Sequence, residues 1–205
     1  MQRLLIAAIS ALLLSAPVYA AEYAFDPSHT SISYSIDHMG LSEMHGVFRK
    51  FDGSLQLDTQ DLAKSSVSVK IDANSIDTGV AKLDEHLRTP DFFNVAEFPQ
   101  IIFTSTKVEP TGTNTFKLSG DLTLHGVTKP VTLNASMRTV AQHPFLKVPA
   151  AGFVATGEIK RSEFGITTYP GALGEVVKIR IDTEAAEKAP APADKPAEAA
   201  ADAKK

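Results

Sequence analysis

Six histidines, His29, His38, His45, His86, His125 and His143, are the side chains of this chain best suited to hold a metal. Asp84-Glu85-His86 adds two carboxylates beside an imidazole, the raw material of acid–base chemistry. A metal needs several such groups converging at one point, and the spacings that guarantee it locally, such as H-E-x-x-H, do not occur. The histidines instead fall on separate segments, and a surface or structural role is expected for each. Asp84, Glu85 and His86 are consecutive, so on a helix they diverge around the axis and form a solvated face rather than a converging site. There is no G-x-S-x-G elbow, no S-x-x-K and no glycine-rich phosphate loop. With Cys 0, thiolate zinc sites and disulfides are closed as well. No catalytic residue, cofactor or metal is expected, and the chain reads as a protein that is not an enzyme.

The elements that would position any site begin after Ala20. Met1–Ala20 has the form of a secretory signal: Arg3, the apolar stretch Leu4–Leu14, then small residues at Val18 and Ala20. The apolar stretch is too short to span a bilayer. Export to the periplasm is therefore expected, with no lipoprotein anchor because no cysteine follows the cleavage region. The formal net charge of −4 argues against a nucleic-acid partner. Roughly 165 residues remain for one domain that must stabilise itself by its core alone. From Ala185 to Lys205 the composition turns to Ala, Pro, Lys, Glu and Asp, and a disordered tail is expected there.

Between Thr30 and Glu184 short runs alternate strictly between apolar and polar residues. In Thr115–His125, Phe116, Leu118, Leu122 and Leu124 share one parity and Lys117, Ser119, Asp121 and Thr123 the other. Side chains of a strand alternate between two faces, so each run is a strand with one dry side. The pattern predicts strands at Thr30–His38, Gly46–Asp58, Ser65–Asp72, Gln100–Val108, Thr115–His125, Thr128–Met137, Gly152–Lys160 and Glu175–Thr183. About eight such strands share one dry interior and lose their edges if the sheet closes into an antiparallel barrel. The long interruption Ala73–Pro99 carries Val80, Leu83 and Leu87 at helical spacing, which predicts a short helix over Gly79–Arg88 with Asp77 or Thr78 at its cap. Asp91-Phe92-Phe93-Asn94 and Phe98-Pro99 follow, an aromatic segment expected to fold over one barrel end. Gly120, Ala135, Ala155 and Gly157 interrupt larger residues on the inward parity. That mixture fits a cavity or ordinary large-against-small packing, and periodicity leaves both open.

Several blocks resemble the YceI-like family of periplasmic proteins. They are Phe25-Asp26-Pro27-Ser28-His29-Thr30 with Ile36-Asp37-His38-Met39-Gly40; Leu87-Arg88-Thr89-Pro90-Asp91-Phe92-Phe93-Asn94 with Phe98-Pro99; Gly120-Asp121-Leu122-Thr123-Leu124-His125-Gly126-Val127-Thr128-Lys129-Pro130-Val131; and Arg161-Ser162-Glu163-Phe164-Gly165. Together they span about Ala21 to Thr183. The resemblance implies an extended lipocalin-like barrel, commonly a homodimer, whose tunnel holds a long isoprenoid or another long-chain lipid; transient contact with a membrane is compatible with such a cargo. It favours a hollow interior, in which a lipid is bound or carried without any bond being made or broken.

On that basis the expected lipid contacts are Ile32, Tyr34, Ile36, Phe48, Val69, Ile71, Phe103, Leu122, Leu133, Met137, Phe153 and Ile179, with Phe92, Phe93 and Phe98 near an opening. His38, Arg49 and Arg161 are the candidate contacts to a polar head group. The competing reading is a packed barrel that dimerises or docks on a membrane protein and holds no ligand, with Phe92–Phe98 as its docking patch.

Overall fold

A computed structural model describes residues 20–188, so the signal segment and the chain beyond Lys188 lie outside the described residues. In chain order the strands are β1 (Ala21–Phe25), β2 (Ser31–His38), β3 (Ser42–Phe48), β4 (Phe51–Leu57), β5 (Ser66–Asp72), β6 (Ile76–Asp77), β7 (Gln100–Pro110), β8 (Thr115–Leu124), β9 (Val127–Gln142), β10 (Pro149–Lys160) and β11 (Leu173–Glu187). One short helix, α1 (Ala81–Leu87), lies between β6 and β7. All strands join one antiparallel sheet in the order β1-β4-β5-β7-β8-β9-β10-β11-β2-β3-β6, closed by pairing of β1 with β11.

β1 and β2 are two halves of one bent ribbon, and β3 and β4 are two halves of its neighbour. Counted so, and with the two-residue β6 set aside because it pairs only with the edge of β3 at Val47 and Phe48, eight strands close the barrel. The bend after β1 has a local cause. Asp26 accepts a hydrogen bond from the Ser28 amide at 2.8 Å, and Pro27 opens a single 3-10 turn there. In the second ribbon the break falls at Arg49-Lys50, where the two amides leave the barrel ladder for Ser75, bonding its carbonyl at 3.1 Å and its hydroxyl at 3.0 Å.

Alternation turns into packing through cross-strand rungs. One runs Phe116–Ala135–Ala155–Ile181–Ile32–Phe48 around six neighbouring strands, each pair directly opposed. Above it Gly157, Ile179, Tyr34 and Gly46 oppose one another in turn. Large residues therefore face small ones, the arrangement that lets a narrow barrel close without overpacking. Each end carries a buried cluster. At the α1 end Ala73, Ile76, Leu87, Phe92, Phe164 and Ile166 form a buried cluster, and at the other Tyr23, Leu55, Leu57, Ala151 and Ala185 do so.

Several elements differ from the pattern-based expectation. β1 and β6 were not expected, and β3 starts at Ser42 rather than Gly46. β9 and β11 run on to Gln142 and Glu187. The last is instructive, because Ala185 reads as the start of a tail yet is buried between Phe25 and Ala151, its partners on either side. Alanine has poor strand propensity, but a small residue fits a tight barrel end, and packing overrides propensity. The helix is shorter than Gly79–Arg88, and Val80 stands at its cap without a side-chain cap bond. Asp77 and Thr78 act one step earlier, accepting from the amides of Gly79 at 2.8 Å and Val80 at 3.3 Å.

Asp84 is not on a solvated face. It is buried and accepts hydrogen bonds from the Thr78 amide at 2.8 Å and the Thr78 hydroxyl at 2.6 Å, pinning α1 to the strand before it. Helical spacing told which residues share a face but not which face the barrel end would claim. The Phe164 ring is 1% exposed in the α1-end cluster. Phe164→Ala is expected to cost about 3–5 kcal/mol through lost transfer energy and a residual cavity. Urea denaturation should show the midpoint falling with the slope unchanged.

Candidate functional site

Between these two clusters the barrel is hollow. A cavity of about 630 Å³ runs along the lumen, walled almost wholly by the inward parity of the strands. Of the residues expected to contact a ligand, Ile32, Tyr34, Ile36, Phe48, Val69, Ile71, Phe92, Phe93, Phe103, Leu122, Leu133, Phe153 and Ile179 line it. Two expected residues do not. Met137 lies inside the barrel but packs among Phe153 and the core residues at the β1 end. Phe98 leaves the lumen and lies against the β8–β9 turn, its ring 4.9 Å from that of His125 and tight against Gly126. His125 and Gly126 both have positive φ, 51° and 75°, which is the tight hairpin geometry that Phe98 covers.

Alternation could also have found Phe116, Leu118, Val177 and Ile181, which share the inward parity and line the cavity. It could not have found Leu62, Leu83, His86 or Tyr169, which reach the lumen from turns and from α1. Glycine keeps the lumen open in places. A Cβ at Gly46 would stand 2.5 Å from the Tyr34 ring, and one at Gly120 would stand 2.5 Å from the Phe103 ring. Both aromatic rings therefore lie flat against the wall instead of projecting across the channel.

The candidate head-group residues separate. Arg49 is outside the cavity and pairs with Asp77 at 2.9 Å. Arg161 lines the cavity but its guanidinium is committed. It donates to the carbonyls of Gly174 at 2.9 Å, Ile166 at 3.1 Å, Thr168 at 2.7 Å and, more weakly, Leu173 at 3.4 Å. Two of those carbonyls lie on the loop before β11 and two at the start of β11, so Arg161 ties the loop to the strand across the barrel end. His38 lines the cavity where β2 meets β11, opposite Leu173. His86 lines it from α1, with its ring 5.0 Å from Phe92 and 6.1 Å from Tyr169. Tyr34 carries the one hydroxyl group in this region whose ionisation is strongly perturbed. Burial first, and the Asp84 carboxylate second, push its pKa up to about 12.

Nothing in the lumen brings a nucleophile, a base and an oxyanion donor to one point. Among the described residues one group could surround a cation, Asp26, His29 and Glu184, whose ligand atoms lie within 4.8 Å of each other. It sits on the outside, and Asp26 and His29 already satisfy one another at 2.7 Å.

A closed eight-stranded antiparallel barrel with a long apolar lumen is a lipocalin-like barrel. More narrowly, the chain belongs to the YceI-like domain family, which matches residues 23–185. It is 41% identical over 177 residues to Protein YceI of Salmonella arizonae, covering 85% of this chain and 92% of that one. Among solved structures, the Campylobacter jejuni YCEI protein is 30% identical with a TM-score of 0.70, covering 75% of this chain and 90% of that one. Two further structures share the fold at lower identity. BcnA of Burkholderia cenocepacia has a TM-score of 0.72 at 23% identity, covering 78% of this chain and 98% of that one. A polyisoprenoid binding domain from Saccharophagus degradans has a TM-score of 0.61 at 16% identity, covering 83% of this chain and all of that one, 100%.

The raised pKa of Tyr34 has a consequence for stability. Above the ordinary tyrosine value near 10 the unfolded chain loses this proton while the folded one keeps it, so the unfolded state binds fewer protons. Stability must therefore fall as pH rises from about 10 towards 12 and be unaffected by this group below that window. Denaturant titrations across that range should show a shallower decline for Tyr34→Phe. Buried Tyr23, raised in the same direction, is expected to leave a residual slope.

Proposed function

We propose that this barrel binds one long-chain lipid, an isoprenoid or a related apolar chain, in its lumen and carries or stores it in the periplasm without chemical change. The observation that carries the reading is the apolar channel of about 630 Å³ inside a closed barrel. That volume lies in the range of pockets that enclose a small-molecule ligand. Each 100 Å² of ligand chain removed from water there contributes about 2.5 kcal/mol. A solidly packed barrel acting only as an interaction module leaves no such volume, so the open lumen favours the binding reading. The polyisoprenoid binding of the Saccharophagus degradans domain, on a similar fold, supports the ligand class. The signal-like Met1–Ala20 supports the compartment. A homodimer is part of the proposal on the family resemblance alone.

The lumen is polar in different ways at its two ends, and this orients the ligand. His38, His86 and the Tyr34 hydroxyl lie towards α1, whereas Thr30, Ser65, Ser66 and Thr183 supply only hydroxyls at the other end. A ligand with a polar or ionisable head places it at the α1 end and its chain towards β1.

Native mass spectrometry of the exported protein is expected to show a retained lipid mass that disappears on extraction with organic solvent. Leu122→Trp puts an indole into the channel beside Phe103, its cross-strand neighbour. It should lower lipid occupancy at least about tenfold while the protein still unfolds cooperatively. Ile179→Trp, from the opposite wall, repeats the test should the first variant fold poorly. Undiminished lipid in folded variants would sink the reading.

A further inference from the structure

Seven large apolar side chains are exposed among the described residues, and five of them gather at one end of the barrel. Met39 (53% exposed) and Leu41 (81%) form the tip of the β2–β3 hairpin, Val80 (54%) stands at the start of α1, Tyr169 (49%) on the loop before β11, and Val176 (39%) on β11 itself. Single exposed apolar residues are ordinary, but convergence of several on one end of a barrel is not. These four elements also surround the place where the lumen reaches the surface. Tyr169 belongs both to the exposed group and to the cavity wall, Met39 and Leu41 flank the hairpin that begins at lumen-lining His38, and Val80 lies between lumen-lining Thr78 and Leu83.

The backbone under these residues is prepared for a dry environment. The Met39 amide donates to the Ala172 carbonyl at 2.8 Å, that of Gly40 to the Asp37 carboxylate at 2.8 Å, and that of Leu41 to the His38 carbonyl at 3.0 Å. The Val80 amide donates to the Thr78 hydroxyl at 3.3 Å. A turn whose amides were free would strand them on leaving water, at a cost of roughly 1–3 kcal/mol each. Here the side chains can enter an apolar phase with those donors already satisfied.

We propose that this rim docks on the surface of a lipid bilayer, with the mouth of the lumen against it. The inference rests on the lipid-binding reading for its choice of partner. A molecule that fits the channel resides in a bilayer, and a rim pressed into that surface lets the chain pass without crossing water. The charges near the rim carry no basic excess: Asp37, Glu85, Asp91, Glu163 and Glu175 are exposed there against Lys82 and Lys160, and Glu43 pairs with Lys178. Docking is therefore driven by apolar insertion rather than by a basic patch, and it is largely indifferent to salt.

The test is flotation of the protein with phosphatidylethanolamine–phosphatidylglycerol vesicles. The unaltered protein should float, equally at about 0.1 and 0.5 M salt. Leu41→Asp combined with Val80→Asp should reduce the bound fraction about tenfold while leaving co-purified lipid in the lumen, since neither side chain lines the channel. Leu122→Trp, with its lumen blocked, should still float, which separates failure of docking from failure of lipid binding. Phe145→Asp with Leu146→Asp removes the remaining exposed apolar pair, on the β9–β10 hairpin at the other end, and should leave flotation unchanged. No flotation of the unaltered protein, flotation abolished by high salt, or loss confined to the Phe145–Leu146 variant would each overturn the proposal.

Discussion

Closure of a narrow sheet on itself is the constraint from which the rest of this molecule follows. Eight strands leave an interior only as wide as the side chains pointing into it, so each inward position is judged against the residues across from it and beside it. The rung Phe116–Ala135–Ala155–Ile181–Ile32–Phe48 shows how this is met, with two alanines side by side between larger residues. Had all six positions been large, the wall would have had to bulge or the register slip. A register slip by one residue would have turned the whole dry face outward. The pairing is specified by the same alternation that makes each strand.

The hollow interior is a second consequence, and it is held open by particular pairs. Tyr34 lies over Gly46 and Phe103 over Gly120, each glycine giving a ring room to lie along the wall. A side chain at either glycine would press the ring into the channel. Filling is tightest at the ends, where Phe164 and Ile76 at one and Tyr23 and Ala185 at the other are almost completely buried, and a further cluster of Val108, Phe116, Leu133, Ala135 and Ala155 packs along one wall between them. The barrel thus draws its stability from packed ends and hydrogen-bonded walls and leaves the middle free for a guest. This division also explains why Arg161, a buried cation, is spent on four backbone carbonyls, two on the loop before β11 and two at the start of that strand. The segment before β11 lines the channel through Ile166 and Tyr169 and has no ladder of its own to hold it. Its shape must come from a side chain that can donate several hydrogen bonds at once.

Most of the wall was legible from alternation because inward parity is a local property of each strand. Ile32, Ile36, Val69, Ile71, Leu133 and Ile179 could be placed on the lumen without knowing which strands were neighbours. Whether that lumen was full was not legible, since a packed core and a channel wall share one pattern; the balance of large and small across strands depends on register. The errors fall where side chains leave the strand rule. Met137 is inward and pairs with lumen-lining Phe153 on the last rung before the register shift between Ala151 and Phe153, where it packs into the buried clusters beside it. Phe98 belongs to a loop, and its target, the hairpin at His125-Gly126, is distant in sequence. Asp84 shares a helix turn with exposed Glu85, yet its carboxylate is the acceptor for Thr78, a partner set by how the chain enters α1.

The two ends of the barrel are built for different tasks, and the difference traces back to where the chain is allowed to be irregular. At the β1 end the strands run to their limits and pair almost to the last residue, Glu187 opposite Tyr23. At the α1 end β3 keeps one edge unpaired before Val47, and α1 with the loops after it fills the gap instead of another strand. A ladder is rigid and admits nothing between its strands; a seam closed by a helix and loops opens at a lower cost because fewer backbone bonds cross it. His86, Leu83, Thr78 and Tyr169 line the lumen along that seam. The less laddered seam therefore lies beside the exposed apolar rim, and the fully laddered end lies away from it.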